Sequence, residues 1–255
     1  MKPIQAYQDG RRRSEHLLKL SELLLDRRLR GIRGDWADNF KRLMHWRKKE
    51  VIDRVDGAGA ILILREGCGV TAKHFRDEFL DELLRAATVS IVAAFDRYCH
   101  ELIAAKIVAE TNRGFRAASH PLKRFRVPIL EARKAIAHAK KPGSRPMNLI
   151  RESAKAVLKE DTFQKPDAVV RGLQMVGVSE LWPGCAAHMG CQPEEIIREL
   201  KRIVDRRNRI VHEGDIQHRA RGGHIKTHPI RAKQVAADIV WLSRLVDAID
   251  IVANA

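Results

Sequence analysis

The sequence predicts an all-α protein, a helical bundle, and three observations carry that prediction. Apolar residues recur at helical spacing through most of the chain, prolines and acidic first turns mark several helix starts, and convincing strands are almost absent. With 255 residues, 45% of them hydrophobic, the chain can bury a core. The expected organisation is an N-terminal helical extension over 1–70 and a helical domain over 71–255 that carries a basic insertion at 106–155.

The first seventy residues read as two helices. One runs from about Ser14 to Arg30. The other is opened by Asp35 as N-cap, has Asp38 in its first turn, and keeps Trp36, Phe40, Leu43, Val51 and Val55 in helical register. The run "GAGAILILREGCG" that follows fits either a strand or a buried turn. From Thr71 to about Glu110, the residues Phe75, Phe79, Leu83, Ile91, Phe95, Cys99, Leu102 and Ile103 hold a helical period with no proline or glycine. This is one long helix or two nearly collinear ones.

Residues 106–155 carry thirteen Lys/Arg against three Asp/Glu, which is ten of the sixteen excess positive charges of the chain. Pro121, Pro128, Pro142, Gly143 and Pro146 cut the stretch into short pieces, read as surface turns around one helix at 129–140. Further helices are expected near 147–160, from Pro166, and from Pro193, whose first turn holds Glu194 and Glu195. "WPG" at 182–184 reads as a turn, and a last helix is expected from Pro229 to about Val252.

Forty-eight Lys/Arg against 32 Asp/Glu give a formal charge of +16 and a pI near 10.1, which points to a polyanionic partner. RNA, DNA and anionic membrane share that chemistry. A membrane role is disfavoured, because no apolar run approaches the roughly 20 residues of a spanning helix and the prolines interrupt any long amphipathic face. The N-terminus lacks a clean apolar h-region, since Lys19, Glu22 and Asp26 interrupt its leucines, so a soluble cytoplasmic protein is expected. Within the basic stretch, Lys123, Arg124 and Arg126 are candidate RNA-phosphate contacts, and Phe115 and Phe125 are candidates for stacking on bases.

Cys68, Cys99, Cys185 and Cys191 read as reduced thiols. Cys185, His188 and Cys191 form a C-x2-H-x2-C pattern, and His224 and His228 are the residues that would have to complete a site. A structural zinc normally takes four ligands with paired CxxC spacing, so packed cysteines and a loop histidine are the better reading, with no metal and no cofactor expected.

The chemistry concentrates at 205–215, "DRRNRIVHEGD". On the helix from Pro193, the residues Ile196, Leu200, Ile203, Val204 and Val211 form an apolar stripe, and at about 100° per residue Arg207 falls in its middle. Burying an unpaired guanidinium costs several kcal/mol, so Arg207 needs a carboxylate, a subunit interface or a bound anion. His212 occupies the final turn before the glycine stop, and Asn208, four residues earlier, can contact it along the same face. Asp96, at the margin of its helix's stripe, is a candidate to pair with and orient Arg207, whereas Glu101 reads as a surface residue. Arg207 and His212 are about 140° apart on an ideal helix, so either the helix end deviates or a second copy supplies the missing group.

"RNRIVH" at 207–212 resembles the arginine, polar residue, spacer, histidine motif of HEPN domains. "VDRRNRIVHEGD", "AAFDRYCHELI" at 93–103 and "FQKPDAV" at 163–169 resemble more narrowly the RiboL-PSP-HEPN branch, and the likeness covers about 71–252. The resemblance implies an HEPN-like helical bundle that dimerises so that two arginine-histidine motifs face each other across a basic cleft. Active members are metal-independent endoribonucleases, often toxins or antiviral effectors, and others only bind RNA or nucleotides. Arg207 and His212 match the catalytic pair, Asn208 the polar position, and Arg206 and Arg209 flank them as RNA-binding candidates. The expected partners are RNA, a second copy of the chain, and an antitoxin or regulatory protein. Some toxins carry a tyrosine two residues after the histidine for modification by a partner nucleotidyltransferase. Here that position is Gly214.

Overall fold

The computed structural model describes residues 2–24, 28–29, 32, 34–65, 67–75, 77–113, 120–123, 125–139, 146–217 and 226–255. Its central element is α3 (Asp77–Asn112), a single long helix that starts later than the apolar period from Thr71 suggests, because Ala72–His74 form a separate 3-10 turn that leaves Phe75 outside it; on α3, Ile91, Phe95, Tyr98, Cys99 and Ile103 are fully buried. Before it come α1 (Pro3–Leu23) and α2 (Gly34–Leu43), and after it α4 to α6 (His120–Lys123, Ile129–Ala139 and Pro146–Leu158). The remaining helices α7 to α10 are Pro166–Met175, Leu181–Met189, Pro193–Glu213 and Ala232–Asn254. The described residues are mainly helical, as the sequence predicts.

α1 starts earlier and ends earlier than its leucines suggest. Pro3 opens it, and its N-terminal half meets α3 through small and polar residues that leave no apolar period. A Cβ at Gly10 would lie 2.5 Å from that of Ala94, and the Ser14 hydroxyl donates to the Ala87 carbonyl. The Tyr7 hydroxyl is 3.0 Å from Ser243 Oγ on α10, so α1 shares the core of α3 and α10. Burial lifts the Tyr7 phenol to about 12.

α2 stops at Leu43 and does not continue through Val55. His45 adopts a left-handed conformation (φ 54°), and the Trp46 N–H bonds back to the Lys41 carbonyl at 2.8 Å, which closes the helix. The chain then forms β2 (Ile52–Asp56) and β3 (Ile61–Arg65), which with β1 (Arg28–Leu29) make a small antiparallel sheet in the order β1-β2-β3. "ILILR" of the run "GAGAILILREGCG" is therefore a strand, and Val55, paired with Leu62 and fully buried, is a strand residue.

"WPG" lies in the first turn of α8. Pro183 is tolerated there, and Gly184 lets Val252 of α10 approach to 2.9 Å of where a Cβ would stand. The basic stretch is only partly surface: Ile107, Leu122 and Ala154 belong to the core, while α5 exposes Ile129, Leu130 and Ile136. Glu101, expected at the surface, is buried on α3. Its Oε2 is 2.8 Å from Arg151 Nη2 and its Oε1 is 2.8 Å from Lys155 Nζ, both on α6. Burial alone would raise the Glu101 carboxyl, but the hydrogen bonds and charges of Lys155 and Arg151 outweigh it and hold the group below its ordinary value. Among the described residues no helix is long and apolar enough to cross a membrane.

Candidate functional site

α9 delivers the site. Pro193 follows a capping box between Gln192 and Glu195, with Glu194 and Glu195 against the positive helix end. Ile196, Leu200, Ile203 and Val204 bury one face of it as far as Val204, each fully buried aliphatic chain contributing about 1.5–3 kcal/mol. The stripe then runs past the edge of the bundle: Ile210 is half-buried and Val211 is 46% exposed. Arg207 lies at this transition, half-buried, on the azimuth of the buried residues.

Arg207 has no carboxylate partner among the described residues. Its Nη1 donates to Asn208 Oδ1 at 3.0 Å, and its Nε is buried with no hydrogen-bond partner. Asn208 thus turns its amide oxygen to Arg207, and no bond to the His212 ring exists among the described residues. His212 is exposed in the last turn. α9 stays helical through Glu213, so the separation of about 140° between Arg207 and His212 holds, and one copy does not aim both at one point.

The expected pairing of Asp96 with Arg207 does not form. Asp96 Oδ1 accepts the Phe163 backbone N–H at 2.7 Å, Oδ2 is 3.4 Å from Gln164 Nε2, and His100 Nε2 is 3.8 Å from Oδ1. The carboxylate ties α3 to the segment before α7, joining two of the stretches that carry the family resemblance. Its face of the helix was readable from periodicity, but its partner was not.

Arg206, expected to face RNA, is engaged within the chain. It lies about 100° from Arg207 around the helix, which turns it toward α3 and the segment at 226–229. Its Nη2 is 2.7 Å from Asp215 Oδ2, 3.3 Å from the His228 carbonyl and 3.2 Å from the Pro229 carbonyl. Burial pulls the Arg206 guanidinium below its ordinary value, Asp215 works against that, and Arg209 and Arg85 add to it. Arg209 is half-buried, with its Nε buried and without a partner among the described residues.

Asp215 and Arg85 were missed by the sequence reading. Asp215 is fully buried, and its Oδ2 also takes Arg85 Nε at 3.0 Å. Arg85, on α3, reaches Glu82 Oε1 at 2.8 Å, Thr227 Oγ1 at 2.9 Å and the His228 carbonyl at 3.1 Å. The available signal was the one used for Arg207, since Arg85 also sits beside the apolar stripe of its helix.

Lys123 and Arg126 are exposed, as phosphate contacts require, while Arg124 and Phe115 lie outside the described residues. Phe125 is half-buried against the core. Cys185 is fully buried, which pushes its thiol up to about 12; His188 is exposed on α8, and Cys191 is half-buried. His224 lies outside the described residues, and among the described residues no three His, Cys, Asp or Glu side chains gather as a metal would require.

The site therefore combines a half-buried arginine with no counter-charge among the described residues, an exposed histidine five residues on, and the half-buried Arg209 between them. A guanidinium of this kind can bind a phosphate, and an imidazole can accept or donate a proton. No curated protein and no solved structure matches the chain. The family model for RiboL-PSP-HEPN matches residues 43–255, which covers the motif and every helix from α3 onward and supports an RNA-related role. The chain belongs to the RiboL-PSP-HEPN family of the HEPN superfamily.

Proposed function

We propose that the protein is a metal-independent endoribonuclease that works as a homodimer, with Arg207 and His212 of both copies forming one composite site. The observation that carries this reading is the state of Arg207. It lies on the buried azimuth of α9, its Nε is buried and unpartnered among the described residues, and the apolar stripe beyond it emerges uncovered at Val211. A second copy laid along this helix end would cover Val211 and bring its own histidine toward the first copy's arginine.

In that site one His212, neutral, takes the proton from a ribose 2′-hydroxyl as its oxygen attacks the adjacent phosphorus. The other His212, protonated, gives a proton to the departing 5′-oxygen. The products are a 2′,3′-cyclic phosphate and a 5′-hydroxyl end, and DNA survives because it lacks the nucleophile. The Arg207 side chains hold the phosphate and offset its growing charge, while Asn208, bonded to Arg207, fixes the guanidinium plane. Exposed Lys123 and Arg126, with Arg124 between them, supply affinity through phosphates. Action as a bacterial defence or toxin effector, held in check by an antitoxin or regulatory protein, is part of the same reading.

The test is incubation of purified protein with RNA in EDTA beside a His212→Ala control. Cleavage by the wild type alone, with cyclic phosphate ends, supports the enzyme. RNA binding without cleavage by either protein would make this a non-catalytic RNA-binding member of the family.

A further inference from the structure

We propose that Asp215, gripped by Arg85 and Arg206, is a positioning residue that fixes the last turn of α9 and, through it, the place of His212. The inference rests on the ribonuclease reading of that histidine. His212 is exposed, and no hydrogen bond to its ring is formed among the described residues, so its imidazole is placed by the backbone that carries it. Helix ends fray because their last carbonyls lack partners. This end is fastened three times.

Gly214 and Asp215 are both left-handed, at φ 60° and 56°, and the Asp215 N–H closes the helix on the Arg209 carbonyl at 3.0 Å. Aspartate enters this conformation more readily than most residues with a Cβ, and long-range contacts then hold Asp215 in it. The Asp215 carboxylate does so by taking Arg206 of α9 at 2.7 Å and Arg85 of α3 at 3.0 Å through one oxygen. The Asp215 carbonyl accepts the His228 N–H at 2.8 Å, and Ile216 bridges to Thr227, so the returning segment is tied to the same point. A glycine stop alone ends a helix. A buried carboxylate between two arginines adds little stability over apolar packing, and what it adds is a fixed geometry among α3, α9 and residues 226–229.

The experiment compares the full-length wild type with Asp215→Asn and Arg85→Lys. It measures kcat and KM for an oligoribonucleotide in EDTA, together with amide hydrogen exchange at residues 210–213 and in α10. The expected result is a kcat reduced about 10- to 100-fold with KM within about threefold, because misplacing a catalytic group by about 1 Å costs that much. Exchange at 210–213 should quicken while α10 exchanges as in the wild type. Wild-type kcat or wild-type exchange at 210–213 in both variants overturns the inference. If Asp215→Asn does not fold, the same two readings on Arg85→Lys decide it. Wild type that leaves RNA intact defeats the ribonuclease reading and the positioning role together, whereas active wild type with unaffected variants defeats the positioning role alone.

Discussion

Arg206 and Asp215 meet at 2.7 Å across the last turns of α9, and the carboxylate has no exposure to solvent. The adjacent Arg207 has no carboxylate among the described residues. Two consecutive arginines thus have opposite fates, because a step of about 100° turns one toward α3 and the other along the stripe that leaves the bundle. One is engaged within the chain, and the other is free of any carboxylate among the described residues.

That division predicts opposite outcomes for two alanine substitutions. Arg206→Ala leaves a buried carboxylate with Arg85 as its remaining cation and should cost about 2–3 kcal/mol of stability by denaturant unfolding. Arg207→Ala should shift stability by less than about 1 kcal/mol and reduce RNA cleavage by at least about 100-fold. Normal cleavage by Arg207→Ala would exclude it from the chemistry.

His212→Ala should unfold at the wild-type temperature and cleave no RNA, because the exposed ring contributes little packing and, in the proposed mechanism, the two copies of it supply both proton transfers. Full activity in a clean preparation of this variant would end the proposed mechanism.

α9 and α3 were legible in the sequence because their signals are local. Pro193, Glu194, Glu195 and Gly214 mark the ends of α9, and an unbroken apolar period spans α3. The sheet was not legible, since Val51 and Val55 match a helical spacing by coincidence while the partner of Val55, Leu62, is set by strand pairing. The site was readable in composition but not in wiring. Periodicity assigns Asp96 and Arg85 to a face, yet whether Asp96 meets Arg207 or the Phe163 N–H depends on packing between distant segments, and Arg85 and Asp215 are 130 residues apart.

Mixing Arg207→Ala with His212→Ala tests whether the site is shared. If each half-site draws groups from both copies, heterodimers should show residual activity different from that of either homodimer. Normal cleavage by a protein that sediments as a monomer at the assay concentration would rule the composite site out.

The clamp of Glu101 on Arg151 and Lys155 predicts an acid-sensitive part of the stability. Its folded-state carboxyl is held below the ordinary glutamate value, so the contribution is full above the unfolded value near 4.5 and is lost as pH falls through the lower folded value. Glu101→Gln should therefore cost about 1–3 kcal/mol at pH 7, and the gap to the wild type should narrow below about pH 4. Equal stability of the two proteins at neutral pH would show that the clamp contributes nothing.

The basic stretch should contribute affinity without chemistry. Lys123 and Arg126 are exposed and lie outside the α9 motif, so they can meet phosphates without touching the scissile bond. Each phosphate neutralised releases counterions, which makes binding fall with salt by roughly 0.7 log units per contact per log unit of salt on a single strand. Changing Lys123, Arg124 and Arg126 together to Gln should weaken RNA binding and flatten that slope by about two units if all three touch phosphates. Cleavage at saturating RNA should stay at the wild-type rate, since binding lost equally in ground and transition states raises KM and spares kcat. A triple variant with wild-type affinity and salt slope would show that these side chains are solvated surface, and would move the RNA footprint to Arg209 and the arginines between α9 and α10.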